Sequence, residues 1–92
     1  MSNRYIQFRV SGKVQGVWFR KFTSVAAKHL ELKGWVKNEF DGSVSGEAEG
    51  TEEHLLTFIN KLKSGSKFSK VEDVDVKWLG FANRYNSFKV MH

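Results

Sequence analysis

A nine-residue stretch from Gly12 to Arg20 holds residue types that bind phosphate. It reads Gly-Lys-Val-Gln-Gly-Val-Trp-Phe-Arg and joins an alternating apolar segment to a helical pattern. Glycines allow a tight turn that brings backbone N–H groups close to an anion, and a helix N-terminus adds N–H donors without intrahelical acceptors. An arginine there matches phosphate oxygens with its planar guanidinium. On spacing alone, a plain turn with a solvated arginine explains the stretch equally well.

Other kinds of site have less support in the sequence. No Lys-Ser or Lys-Thr pair follows Gly16, so the stretch is not a P-loop, and its glycines do not fit the dinucleotide-binding pattern. The histidines, His29, His54 and His92, are scattered without metal-ligand spacing, and the chain has no cysteine. We therefore expect no metal site and no cofactor.

Alternating apolar and polar residues predict five strands. Asp41-Gly42 separates the second from the third, and this dipeptide favours a tight hairpin because the turn requires positive φ angles. The predicted strands cover residues 4–10, 34–39, 43–49, 73–78 and 88–90.

Two segments have the three- and four-residue spacing of an amphipathic helix. The first begins at Phe19, runs for about three turns and is stopped by Gly34. The second follows Thr51, whose hydroxyl can cap it, and ends at Ser64-Gly65-Ser66. The residues that we expect the helices to bury are Phe19, Phe22, Val25, Ala26, His29 and Leu30 in the first, and Leu55, Phe58, Ile59 and Leu62 in the second.

This order of elements predicts an α+β fold. A β-α-β-β-α-β chain with two right-handed crossovers forms a ferredoxin-like sandwich, an antiparallel sheet with two helices on one face. The chain of 92 residues fits a single domain, residues 1–92. No apolar run has the length of a transmembrane helix and no signal-peptide pattern is present. Together with the absence of cysteine, this predicts a cytoplasmic protein.

The Gly12–Arg20 stretch resembles the signature of the acylphosphatase family, roughly G-x-V-Q-G-V-x-F-R. The resemblance continues through Gly34-Trp35-Val36-Lys37-Asn38, Asp41-Gly42-Ser43-Val44 and Ala48-Glu49-Gly50, and it covers the chain from about residue 5 to residue 90. It implies the same ferredoxin-like fold. It also implies a metal-independent enzyme that hydrolyses the carboxyl–phosphate anhydride of acyl phosphates to carboxylate and inorganic phosphate.

The resemblance further implies roles for particular residues. Arg20 would hold the phosphate group and Asn38 would position the attacking water. A loop would bind phosphate through its backbone N–H groups, and its residues are Gly12, Val14, Gln15, Gly16, Val17, Trp18 and Phe19. Gln15 either orders this loop or meets the ligand. Trp18 stands where the family usually has a small residue, and its indole either narrows the mouth of the site, stacks on an aromatic acyl group or lies on the surface.

The net charge of +5 favours anionic partners. We expect a small acyl phosphate as substrate, no nucleic acid, no membrane and a monomeric protein. The alternative is a non-catalytic module that binds phosphate or an acyl phosphate. RNA binding fits less well, because no segment has the aromatic strand pattern of RNA-recognition domains. The sequence does not identify the physiological acyl group.

Overall fold

The structure is a computed structural model that describes residues 2–91. It confirms the α+β class, with a five-stranded sheet and two helices. No helix in the described part of the chain is long and apolar enough to cross a membrane. The elements are β1 (Asn3–Lys13), α1 (Phe19–His29), β2 (Lys33–Asn38), β3 (Val44–Thr51), α2 (Glu52–Ser64), β4 (Lys70–Gly80) and β5 (Phe88–Val90).

The strands are arranged in the order β4-β1-β3-β2-β5. The central strand β1 is antiparallel to both neighbours, and Ile6 lies opposite Ala48 of β3 and Trp78 of β4. The sheet departs from the expected antiparallel arrangement at one edge, where β5 runs parallel to β2. This happens because residues 81–87 carry the chain from one edge of the sheet to the other, across the face that the helices leave open.

The core lies between the helices and the sheet. Alternation along β1 turns Ile6, Phe8 and Val10 to the helices, and each is 3% exposed or less. The rings of Phe8 and Phe58 pack edge to face with centroids 5.5 Å apart. The buried residues of α2 are the four that its periodicity predicts, and Thr51 caps the helix by accepting a hydrogen bond from the backbone N–H of His54.

Helix α1 buries Phe19 and Ala26 as predicted, and Phe22 and Leu30 in part, but it does not bury the whole of the expected face. Its buried residues include Thr23, Ser24 and Ala27, whereas Val25 is 58% exposed and His29 is exposed as well. The buried hydroxyl of Thr23 donates to the carbonyl of Phe19, so a polar residue is tolerated there. Small side chains therefore face the sheet, and the larger Val25 faces outward.

The prediction that Gly34 stops α1 is wrong. The helix ends at His29, and Gly34 lies within β2 with a φ angle of 147°. A Cβ atom at this position would collide with the backbone carbonyl of Glu47 on β3. Glycine is needed there because two strands approach closely, and not because a helix ends.

Candidate active site

The loop between β1 and α1 is fixed at both ends by buried apolar side chains. Val14 at its start and Phe19 at its end are each 1% exposed. Gly12 precedes the loop at a β-bulge in the β1–β4 pairing and has a φ angle of 121°. A Cβ atom at Gly12 would collide with the carbonyl of Lys70. The loop thus begins and ends at points that the core and β4 hold in place.

Two residues within the loop adopt left-handed backbone conformations, Gly16 with φ 71° and Trp18 with φ 63°. Trp18 is the residue before α1, and its carbonyl accepts the first helical hydrogen bond from Phe22 at 2.9 Å. An indole has no oxygen with which to cap the helix, and the first turn contains no acidic residue. The positive end of α1 is therefore left for an external anion.

Gln15 joins the loop to the hairpin between β2 and β3. Its side-chain nitrogen donates to the carbonyls of Glu39 and Ser43, both at 2.8 Å. Both amide protons are used in these bonds, and the remaining amide oxygen is an acceptor, which cannot bind a phosphate oxygen. Of the two roles considered for Gln15, the contacts support ordering of the loop.

The hairpin itself is held by a local network. The carboxylate of Asp41 accepts hydrogen bonds from the hydroxyl and the backbone N–H of Ser43, at 2.6 and 3.0 Å. These two bonds, assisted by the nearby Arg9, hold the pKa of Asp41 below its ordinary value. The guanidinium of Arg9 lies 3.0 Å from the same carboxylate. This network fixes the turn just after Asn38, the last residue of β2.

A cavity of about 600 Å³ lies at the N-terminus of α1. Arg20 and Asn38, which come from different elements, both line it, together with Val14, Gly16, Trp18 and Phe19 of the loop. Lys21 and Lys28 add positive charge, and no acidic residue of the described chain lines the cavity. Gly12, Gln15 and Val17, also predicted for the loop, lie outside the lining. Such a cavity attracts anions.

The residue that follows β5 orients Arg20. The guanidinium donates to the carbonyl of Met91 at 2.8 Å, and the backbone N–H of Met91 in turn donates to the carbonyl of Val36 on β2. Val90 of β5 also lines the cavity. No side-chain type in this segment indicates such a role, since the contact is made by a backbone carbonyl.

Sequence reasoning missed five residues of the cavity lining, which are Lys21, Ser24, Val25, Lys28 and Val90. A signal for two of them was present, because Ser24 and Lys28 follow Arg20 at intervals of four and lie on the same helix face. Within residues 2–91, no three metal-ligating side chains come together, and His92 lies outside the described residues.

The Acylphosphatase family model matches this chain over residues 6–90. The chain belongs to the acylphosphatase family. The match spans both the loop at the start of α1 and the β2–β3 hairpin, the two parts of the chain that border the cavity.

Individual acylphosphatases are similar over nearly their whole length. The acylphosphatase of Salinibacter ruber is 42% identical over 89 residues, which cover 97% of this chain and 94% of that protein. The crystal structure of acylphosphatase from Bacillus subtilis is 40% identical, with a TM-score of 0.92, and the match covers 99% of this chain and all of the other. An acylphosphatase structure from Coxiella burnetii is 34% identical with a TM-score of 0.91, over 97% and 93% of the two chains.

Proposed function

We propose that this acylphosphatase binds the phosphate group of an acyl phosphate at the N-terminus of α1 and hydrolyses its anhydride bond with Arg20 and Asn38. The observation that carries the proposal is that these two side chains, 18 positions apart in the sequence, line one positively charged cavity. Arginine supplies a planar set of donors for phosphate oxygens, and the amide of asparagine both donates and accepts.

Phosphate binding rests on the backbone as well as on Arg20. The N–H groups at the start of α1 have no intrahelical acceptors, and no acid in the first turn competes for them. They and the guanidinium stabilise the negative charge on the non-bridging oxygens in the transition state. The left-handed conformations of Gly16 and Trp18 keep the loop in the shape that directs it into the helix.

Asn38 positions the water for in-line attack. Its side-chain oxygen accepts a hydrogen bond from the water, whose oxygen forms a bond to phosphorus while the bond from phosphorus to the acyl oxygen breaks. The carboxylate leaves with the electron pair, and a phosphate oxygen takes the proton of the water. Asparagine cannot act as a base, and a carboxylate leaves without protonation, so no general acid is required.

The test is the hydrolysis of benzoyl phosphate, followed by ultraviolet absorbance in the presence of a metal chelator. We expect Arg20→Ala to lower kcat/KM by about 10³-fold or more, because a transition-state arginine contributes that much in phosphoryl transfer. Asn38→Ala should lower it by roughly 10²-fold, since misplacing a reacting group has an effect of that size.

Two exposed residues elsewhere serve as matched controls, Arg84→Ala and Asn60→Ala, for which we expect kcat/KM to change by less than about twofold. Circular dichroism checks that each variant is folded. Full activity of both site variants would refute the assignment, and a phosphoenzyme trapped with labelled substrate would refute direct attack by water. Phosphate binding without turnover by the folded wild type would favour the non-catalytic module.

We also propose that the substrate is small and that the protein acts as a cytoplasmic monomer without nucleic acid. The absence of cysteine supports the compartment. The absence of the aromatic strand pattern of RNA-recognition domains supports the proposal that no nucleic acid binds. Elution from a calibrated size-exclusion column as a dimer would contradict the monomeric state. A salt-sensitive gel shift with single-stranded RNA would contradict the absence of nucleic-acid binding.

A further inference from the structure

An apolar groove of about 460 Å³ adjoins the catalytic cavity, and Trp18 lines both. We call it the Trp18–Phe68 groove. Its other apolar walls are Val17 and Phe22, and Phe68 comes from the connection between α2 and β4. Since the indole borders both spaces, a group attached to a bound phosphate and extending past Trp18 enters the groove.

Two of the three aromatic rings that line the groove, those of Trp18 and Phe68, are open to solvent. Trp18 is 76% exposed and Phe68 is 67% exposed, although each could bury a large apolar area. Scattered exposed apolar residues are common, but two aromatic rings along one groove beside a catalytic cavity are typical of a ligand site. Neither ring contributes to the core, so packing does not explain their arrangement.

The groove is also positively charged. The ammonium group of Lys21 lies 6.0 Å from the centroid of the Trp18 ring, and that of Lys67 lies 5.4 Å from the centroid of the Phe68 ring. Both lysines line the groove, and no acidic residue from the described part of the chain does. An apolar cleft flanked by two ammonium groups suits a ligand with an apolar body and an anionic substituent.

We propose that the Trp18–Phe68 groove binds the acyl group of the substrate and favours an aromatic acyl group with a second anionic substituent. The proposal rests on the proposed function, because it takes the phosphate to lie at the start of α1. Aromatic stacking against Trp18 and Phe68 provides the affinity for the ring. The ammonium groups of Lys21 and Lys67 select the additional negative charge.

The test measures binding without turnover. Three phosphonates that replace the bridging oxygen by CH₂ are titrated calorimetrically: 2-oxopropylphosphonate, phenacylphosphonate and 4-carboxyphenacylphosphonate. We expect affinity to rise in that order. Phe68→Ala should reduce the advantage of the phenyl compound over the methyl compound by about 3- to 10-fold. Lys67→Gln should reduce only the further advantage of the carboxylate, by about 2- to 5-fold.

Phe40→Ala is the matched control, because Phe40 is a fully exposed phenylalanine at the tip of the β2–β3 hairpin and does not line the groove. It should leave all three affinities unchanged. Equal affinities for the methyl and phenyl compounds, or a Phe68→Ala variant that binds like the wild type, would overturn the acyl subsite. Equal affinities for the phenyl and carboxyphenyl compounds would overturn the proposed preference for an anionic substituent. Turnover of acetyl phosphate by the wild type tests the proposed function separately.

Discussion

Trp18 combines two properties that rarely occur together in one residue. It is a bulky non-glycine residue with a left-handed backbone, and its side chain is mostly exposed. The left-handed conformation costs an L-residue about 1–2 kcal/mol, because Cβ crowds the following carbonyl. Strain of this kind persists where the surroundings hold it, and here Val14 and Phe19 fix both ends of the loop.

Replacing Trp18 by alanine and by glycine separates the indole from the backbone. Both changes remove the ring, but only glycine adopts a φ angle of 63° without strain. We expect Trp18→Gly to have a free energy of unfolding about 1 kcal/mol higher than Trp18→Ala, measured by urea denaturation.

Leu56 provides the matched control, since it is an exposed residue inside α2. In an ordinary helix, glycine is about 1 kcal/mol less stabilising than alanine, so the order of the two variants should be reversed. The same order at both positions would show that the φ angle of Trp18 carries no strain.

At the scale of elements, the site depends on a link between a loop and a hairpin. The link is the side chain of Gln15, which holds the carbonyls of Glu39 and Ser43 on the hairpin that follows Asn38. The loop before α1 and the end of β2 at Asn38 are therefore held at a fixed separation by the side chain of Gln15.

Gln15→Leu keeps the approximate size of the side chain and removes both hydrogen bonds. We expect the free energy of unfolding to fall by about 1–2 kcal/mol. We also expect kcat/KM for benzoyl phosphate to fall by about tenfold or more, because small displacements of reacting groups are costly.

Gln7→Leu is the control for this prediction. Gln7 donates to Glu47 at 3.2 Å on the open face of the sheet, away from the cavity. Removing this hydrogen bond should lower the free energy of unfolding without changing kcat/KM. A Gln15→Leu variant with lower stability and full activity would restrict Gln15 to a purely structural role.

The two helices show why periodicity predicts one element better than another. In α2 the large apolar residues at three- and four-residue spacing are buried, so the pattern identifies Leu55, Phe58 and Ile59 correctly. In α1 small residues face the sheet, and hydrophobicity alone ranks Val25 above Thr23. A periodicity argument cannot detect close packing that requires small side chains.

The candidate site was predictable to the extent that it is local in sequence. The loop and Arg20 form one continuous stretch, and the hairpin signal at Asp41-Gly42 placed the turn after Asn38. The partners of Gln15 lie 24 and 28 residues away, and the carbonyl of Met91 lies 71 residues from Arg20. Which backbone carbonyls come close to a side chain at such sequence distances depends on the fold, so residue types do not predict these contacts.

At the scale of the whole molecule, the open face of the sheet carries a coupled polar cluster. Residues 81–87 cross this face, where Tyr85 donates its hydroxyl to Glu47 and its backbone N–H to Glu49. Burial acts to raise the pKa of Glu47, but hydrogen bonds from Tyr85, Tyr5 and Gln7 outweigh it and hold that pKa below its ordinary value.

The lowered pKa of Glu47 makes the free energy of unfolding depend on pH in the acidic range. Because the pKa of Glu47 is lower in the folded than in the unfolded state, its contribution is fully present above the unfolded value of about 4.3. This stabilising contribution is lost as the pH falls through the pKa that Glu47 has in the folded state. We expect Glu47→Gln to flatten the fall of the unfolding free energy between about pH 5 and pH 3.

Urea titrations at several pH values measure this effect, with the exposed Glu72→Gln as control. The control should retain the slope of the wild type. If Glu47→Gln and the wild type lose stability in parallel, the hydrogen bonds to Glu47 do not contribute to the acid sensitivity.

The strand order has a consequence for how the chain folds. Among the four strand pairings in residues 2–91, β2 with β3 is the one formed by strands adjacent in sequence. The central strand finds its partners far away, since Asn3 pairs with Thr51 and Arg4 with Gly80. Closing such long loops loses chain entropy before any contact compensates for it, which slows folding. We therefore expect the hairpin next to Asn38 to form early and the pairing of β1 with its two neighbours to limit the folding rate.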